Sequence, residues 1–153
     1  MTNFGEILQP EHVLMSLSAE DKAGAIEAVL TKLNGDARVK DFEVLHQAVL
    51  ERNAPSIEEN GCGICIAHGR TEAVSALVLA AGRLSTGLPT PEISSPLRLV
   101  FVAGIPGAFT ADYLRIVGAI ARICRDKHQL ERLLAAKTAT HFVDLLAAGE
   151  VKL

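Results

Sequence analysis

Tryptophan is absent, tyrosine occurs once, and aromatic residues make up only 4% of the chain. A site that stacks bases or sugars on aromatic rings is poorly supplied by such a sequence. Cysteine is scarce and odd in number, at three. That argues against a disulfide scaffold and for a reducing compartment. No lysine- or arginine-rich block is present, and the formal charge is -3. Nucleic acid is therefore not an expected partner. No apolar run approaches the roughly eighteen residues of a membrane span. Met1 to Gln9 lack the basic region and apolar core of a secretory signal. A cytoplasmic protein without membrane insertion is expected.

What remains is an apolar-rich chain. Apolar residues form 49% of its 153 residues, which excludes disorder. The length suits a single domain over 1–153, able to bury about 70% of its unfolded surface.

The chain is organised around Cys62-Gly63-Ile64-Cys65-Ile66-Ala67-His68-Gly69-Arg70. Its β-branched residues and flanking glycines predict a buried strand. Alternation puts Cys62, Ile64, Ile66 and His68 on one face, and Gly63, Cys65 and Ala67 on the other. An imidazole at the tip of a rigid strand is a positioned base or nucleophile. Gly69 leaves room for a ligand, and Arg70 offers a fork of donors to an anion. A histidine that ends a strand and bonds nearby backbone is the plainer alternative, and residue physics alone leaves both open. Cys62-x-x-Cys65-x-x-His68 also has metal-ligand spacing. It lacks a fourth ligand, and the strand sends Cys65 away from the other two, so no metal or cofactor is expected. His12, His46, His128 and His141 carry no motif. His128 is expected to be solvated, and His46 and His141 to pack.

The rest of the chain is read in order. Residues 1–11 form an arm or short helix, and 12–17 a first strand. Ser18 to Asp21 has cap spacing for a helix over 19–33. Asp41 caps a second helix, which ends near Asn53 ahead of Pro55. Residues 56–61 are a polar loop, with Glu58 and Glu59 away from the histidine. A strand follows over 74–81, then an irregular segment over 85–96, then a strand over 97–102. Gly104 to Gly107 is a breaker. Thr110 caps a helix with Leu114, Val117, Ile120, Ala121 and Cys124 inward, and Tyr113 packs at its start. Asp126 caps another helix, and Thr138 or Thr140 a last one ending at Gly149. The order does not alternate regularly, so the fold class is α/β with a mixed sheet and helices on its faces.

The run Gly63-Ile64-Cys65-Ile66-Ala67-His68-Gly69-Arg70 resembles the phosphorylation motif of the type-2 enzyme IIA domains of the phosphoenolpyruvate-dependent sugar phosphotransferase system, the fructose, mannitol and nitrogen-regulatory group. Asp21-Lys22 in the first long helix, Leu50-Glu51-Arg52 before the motif and Leu97 to Pro106 are similar to the same family. Ala67 stands where the family usually has proline, and Cys65 where it has alanine. Tyr113 falls at the position of a second histidine found in many members. The resemblance implies a phosphoryl carrier. His68 would accept phosphate from an HPr-like carrier protein, with Gly69 and Arg70 beside the phosphate and Tyr113 at the second-site position. It would pass the group to a sugar-specific IIB domain or hold it as a regulatory signal. A regulatory protein-binding module of the same fold, with transfer weakened or lost, is the alternative reading.

Overall fold

In the computed structural model, residues 3–151 are described. They form six α-helices, two short 3₁₀ turns and one five-stranded sheet. The elements run α1 (Phe4–Ile7), β1 (Val13–Leu17), α2 (Lys22–Thr31), α3 (Phe42–Leu50), β2 (Ser56–Glu59), β3 (Cys62–Arg70), β4 (Val78–Leu88), β5 (Leu97–Ile105), α4 (Thr110–Arg125), α5 (Lys127–Ala135) and α6 (Ala139–Val151). The strand order is β1-β4-β5-β3-β2. β1 runs parallel to β4 and β3 parallel to β5, while the β4–β5 and β2–β3 pairs are antiparallel. The sheet is mixed, as expected.

Helices cover both faces. Cys62, Ile64 and Ile66 join Leu99, Phe101 and Ala103 of β5 in a core sealed by α1, α4, α5 and α6. Cys65 and Ala67 join Val100 and Val102 in a second core under α2 and α3. The period-two alternation therefore holds through β3. Helix starts follow the carboxylate caps: Asp21 accepts from the Gly24 N–H, Asp41 from Val44, and Asp126 from His128 and Gln129. Thr138 Oγ1 accepts from the His141 N–H at the start of α6.

Several boundaries differ from expectation, each for a physical reason. Residues 56–61 are not a loop: Ser56–Glu59 pair with β3, and Asn60-Gly61 turn the hairpin with φ of 51° and 76°. Asn-Gly is the residue pair such a turn favours. The expected strand over 74–81 begins four residues later, because Val74 belongs to the crossover, where it bridges Val39. β4 then continues to Leu88 through part of the segment expected to be irregular. Its polar residue Arg83 is accommodated because the guanidinium donates to the carbonyls of Leu133, Leu134 and Ala136 at the end of α5. The remaining irregular stretch is tied down, since Glu58 accepts from the N–H and hydroxyl groups of Ser94 and Ser95.

The other departures are smaller. α2 begins at Lys22, with Asp21 rather than Ser18 as its cap, and α3 stops at Leu50. β5 absorbs Gly104 and Ile105 before Pro106 breaks it. Thr110 is the first residue of α4 rather than its cap, and its hydroxyl donates to the Gly107 carbonyl. α4 is also rotated from the expected phase. Tyr113, Ile116, Ala119, Ile120, Ile123 and Cys124 are buried, while Leu114 is 63% exposed. α6 continues past Gly149 to Val151. The short helix expected within 1–11 is Phe4–Ile7, and Met1 and Thr2 lie outside the described residues.

Gly69 marks where helix and sheet approach most closely at the end of β3. A Cβ there would lie 2.9 Å from Val49 Cγ2, 2.9 Å from the Val49 nitrogen and 3.0 Å from Ala48 Cβ. Gly69→Ala is expected to cost about 1–3 kcal/mol through overpacking against α3, read as a lower denaturation midpoint with an unchanged slope.

Candidate functional site

His68 stands where β3 loses one neighbour. β2 pairs with β3 only from Cys62 to Cys65, and the Ile66 N–H extends the contact to the Pro55 carbonyl. Beyond that point β3 has β5 on one side and no strand on the other among the described residues. The imidazole is half-buried on the α4 side of the sheet, as the alternation requires. Its ring meets that of Tyr113, with centroids 5.1 Å apart and planes tilted by 40°. Tyr113 is buried at the first turn of α4.

Two effects keep the ring neutral. Burial lowers the His68 pKa first, and the Arg52 guanidinium lowers it further. At the ordinary value of about 6.5, roughly three-quarters of a histidine population is already neutral at pH 7; the downward shift raises that fraction. The free lone pair needed for nucleophilic attack is therefore available. Burial pushes the Tyr113 phenol up to about 12, so it stays protonated and can donate a hydrogen bond at neutral pH.

Arg52 is the residue that sequence reasoning passed over as a site member. It follows the end of α3 by two residues, and its charge bears on both His68 and Tyr113. Its place after a helix end and before the motif strand, within the Leu50-Glu51-Arg52 segment similar to the family, is the signal that could have drawn attention to it. Arg70, the expected anion donor, lies on the same face of β3 but further along. A Cβ on Gly107 would sit 3.6 Å from Arg70 Nη2 and 3.4 Å from Glu72 Oε2, and Glu72 accepts from the Gly107 N–H. Arg70 also borders a groove with Asp41, Glu43 and Glu51 of the α3 region. Gly69 does not open space for a ligand, because α3 fills the position its side chain would take.

The metal-like spacing dissolves in three dimensions. Cys62 and Cys65 enter opposite cores. Burial pushes both thiols up to about 11 and that of Cys124 to about 12, so all three behave as small core residues. The other histidines belong to separate networks. His46 bonds the Glu27 carboxylate at 2.8 Å and packs on Phe42. His12 is buried beside Asp36, His128 is exposed as expected, and His141, expected to pack, is exposed instead.

Residues 6–149 match the family described as phosphoenolpyruvate-dependent sugar phosphotransferase system, EIIA 2. The chain belongs to this family. A fructose-specific EIIA component from Haloferax volcanii is 30% identical over 148 residues, covering 96% of each chain. The EIIA fold recurs in the nitrogen regulatory protein IIA-Ntr of Neisseria meningitidis, with TM-score 0.74, 21% identity and coverage of 93% of this chain and 97% of that one. It recurs too in enzyme IIAMTL of Escherichia coli, solved in complex with phosphorylated enzyme IIBMTL, with TM-score 0.72, 20% identity and coverage of 93% and 99%. These two structures show the fold; family membership rests on the full-length match. No helix among the described residues is long and apolar enough to cross a membrane.

The charge arrangement makes a specific expectation. Followed by NMR, His68 should titrate below the ordinary histidine range of about 6.5, and Arg52→Gln should move its midpoint upward. The unfolded chain takes up this proton at the ordinary value and the folded chain only at a lower pH. Stability contributed by the neutral ring is thus present above the ordinary value and lost as pH falls through the folded one.

Proposed function

We propose that this EIIA domain is a phosphoryl carrier with His68 as the acceptor. The carrying observation is the neutral imidazole at the open end of β3, held against Tyr113 with the Arg52 cation acting on it. A ring nitrogen of His68 attacks the phosphorus of a phosphohistidine on an HPr-like carrier. A P–N bond forms at His68 as the P–N bond to the carrier breaks, and that electron pair returns to the carrier's imidazole. Bonds of one kind are exchanged for bonds of the same kind. Direction is then set by what the partners do next, and the protein's task is alignment and charge stabilisation.

Each neighbour has a role in this reading. Arg52 stabilises charge on the transferring group, and its planar fork suits a phosphoryl dianion. Tyr113 takes the second-site position and supplies a neutral donor. Arg70 adds a second cation at the same end of the strand. Gly69 contributes by letting α3 approach, which holds the end of β3 rigid. A IIB domain is the proposed recipient for transport, supported by the Escherichia coli complex named above. A regulatory target is the alternative recipient, supported by the name of the Neisseria relative.

Incubation with enzyme I, an HPr-like carrier and labelled phosphoenolpyruvate tests this reading. Acid-labile label is expected on the wild type and absent from His68→Ala. Arg52→Gln should slow transfer by about 10²–10³-fold, the scale of losing one charge-stabilising donor. Tyr113→Phe keeps the ring and should slow transfer by up to about tenfold, the scale of one hydrogen bond. No label on the wild type, with a partner still captured, would replace this reading by the regulatory binding module.

A further inference from the structure

A cleft of about 650 Å3 lies on the other side of β3 from the His68 ring. Its floor is Ala67, the residue before the histidine, which the alternation turns toward α2 and α3. Ile26 of α2, Val49 and Leu50 of α3, and Ala54 supply apolar walls. The volume falls in the range of small-ligand sites, which combine apolar lining with a few polar groups.

The polar groups are unequally committed. Lys22 Nζ donates to the Ala54 carbonyl and is paired with Glu92, and Glu92 also accepts from the Ser56 hydroxyl. That wall is electrically closed. Arg52 lines the same cleft, where it is exposed to solvent, and its guanidinium makes no hydrogen bond or ion pair to another side chain among the described residues. Two cations thus face one carboxylate, which leaves the cleft a surplus positive charge.

We propose that this cleft binds a small organic anion with an apolar body, its charged head on Arg52 and its body against Ile26, Val49 and Ala67. Charge complementarity selects the anion, and the apolar walls select a body larger than an inorganic ion. The binding itself does not depend on phosphotransfer at His68. Its consequence does reach that site, because Arg52 is shared. An anion in the cleft neutralises the cation that bears on the imidazole, so occupancy weakens the stabilisation available to a phosphoryl group.

Anilinonaphthalene sulfonate is a suitable probe, with phenylnaphthylamine as the same body without the charge. The expected result is saturable fluorescence enhancement at one site per folded chain, with a raised Tm. The neutral analogue and Arg52→Gln should each weaken binding by about tenfold or more, the scale of a hydrogen bond to a charged group. Ala23→Trp places a bulky ring at the exposed mouth of the cleft and should abolish binding with Tm of the free protein unchanged. Should that variant fail to fold, protection of Lys22 amide and Ala67 methyl signals by the probe gives the location in the wild type. On adding the sulfonate, the His68 NMR midpoint should rise. Absence of saturable binding, equal affinity for the neutral analogue, or binding unmoved by Arg52→Gln would overturn the proposal. Phosphorylation of His68 is read in a separate assay, so the two readings fail separately.

Discussion

The parallel pairing of β3 with β5 is the constraint on which the rest of the molecule depends. From Ile64 opposite Leu99 to Arg70 opposite Ile105 the register is unbroken. Both strands are buried on both faces for most of their length. A slip of one residue would exchange the two faces. It would carry the imidazole from the ring of Tyr113 into the cleft under α2 and α3, and bring Ala67 up in its place. Position of the histidine is therefore enforced by the apolar packing of two cores rather than by any contact the histidine makes.

That packing also sets the chemistry. Partial burial strips water from the ring and favours its neutral form, and a nearby cation acts in the same direction. A positive charge and an unprotonated nucleophile are conflicting demands only where a single residue must meet both. Here the positive charge is carried by Arg52 on a separate segment after α3, so the ring can stay unprotonated while the field around it stays positive. Tyr113 extends this logic, because burial holds its phenol in the donor form across the neutral range.

The face of His68 was legible because a strand has only one period, and the apolar run around it is long enough to define the phase. The caps at Asp41 and Asp126 were legible because a carboxylate before an apolar helical repeat has few other uses, whereas the hydroxyl of Ser18 drew the first cap three residues ahead of Asp21. β2 was obscured by its own polarity: Glu58 and Glu59 suggest a loop, although Asn60-Gly61 marks a hairpin. β4 was misplaced because Arg83, Ser85 and Thr86 look unsuited to a strand, and the carbonyls that receive Arg83 come from 50 or more residues away. The phase of α4 was ambiguous because its apolar residues cover more than one face, and only contact with the sheet draws Tyr113 in and leaves Leu114 out. Arg52 was visible only as part of the Leu50-Glu51-Arg52 segment; its relation to His68 exists only once α3 has packed against Gly69.

One property of the unpaired margin at the tip of β3 extends beyond the histidine it carries. Exposed backbone donors and acceptors invite a foreign strand to add itself, the first step toward aggregation. Ala67 to Arg70 present only a short ledge of this kind, closed at one end by the β2 hairpin and bearing a charged side chain at the other. The ledge is too brief to template an intermolecular sheet. The same truncation of β2 that leaves the tip of β3 unpaired thus keeps short the edge to which another chain's strand could add.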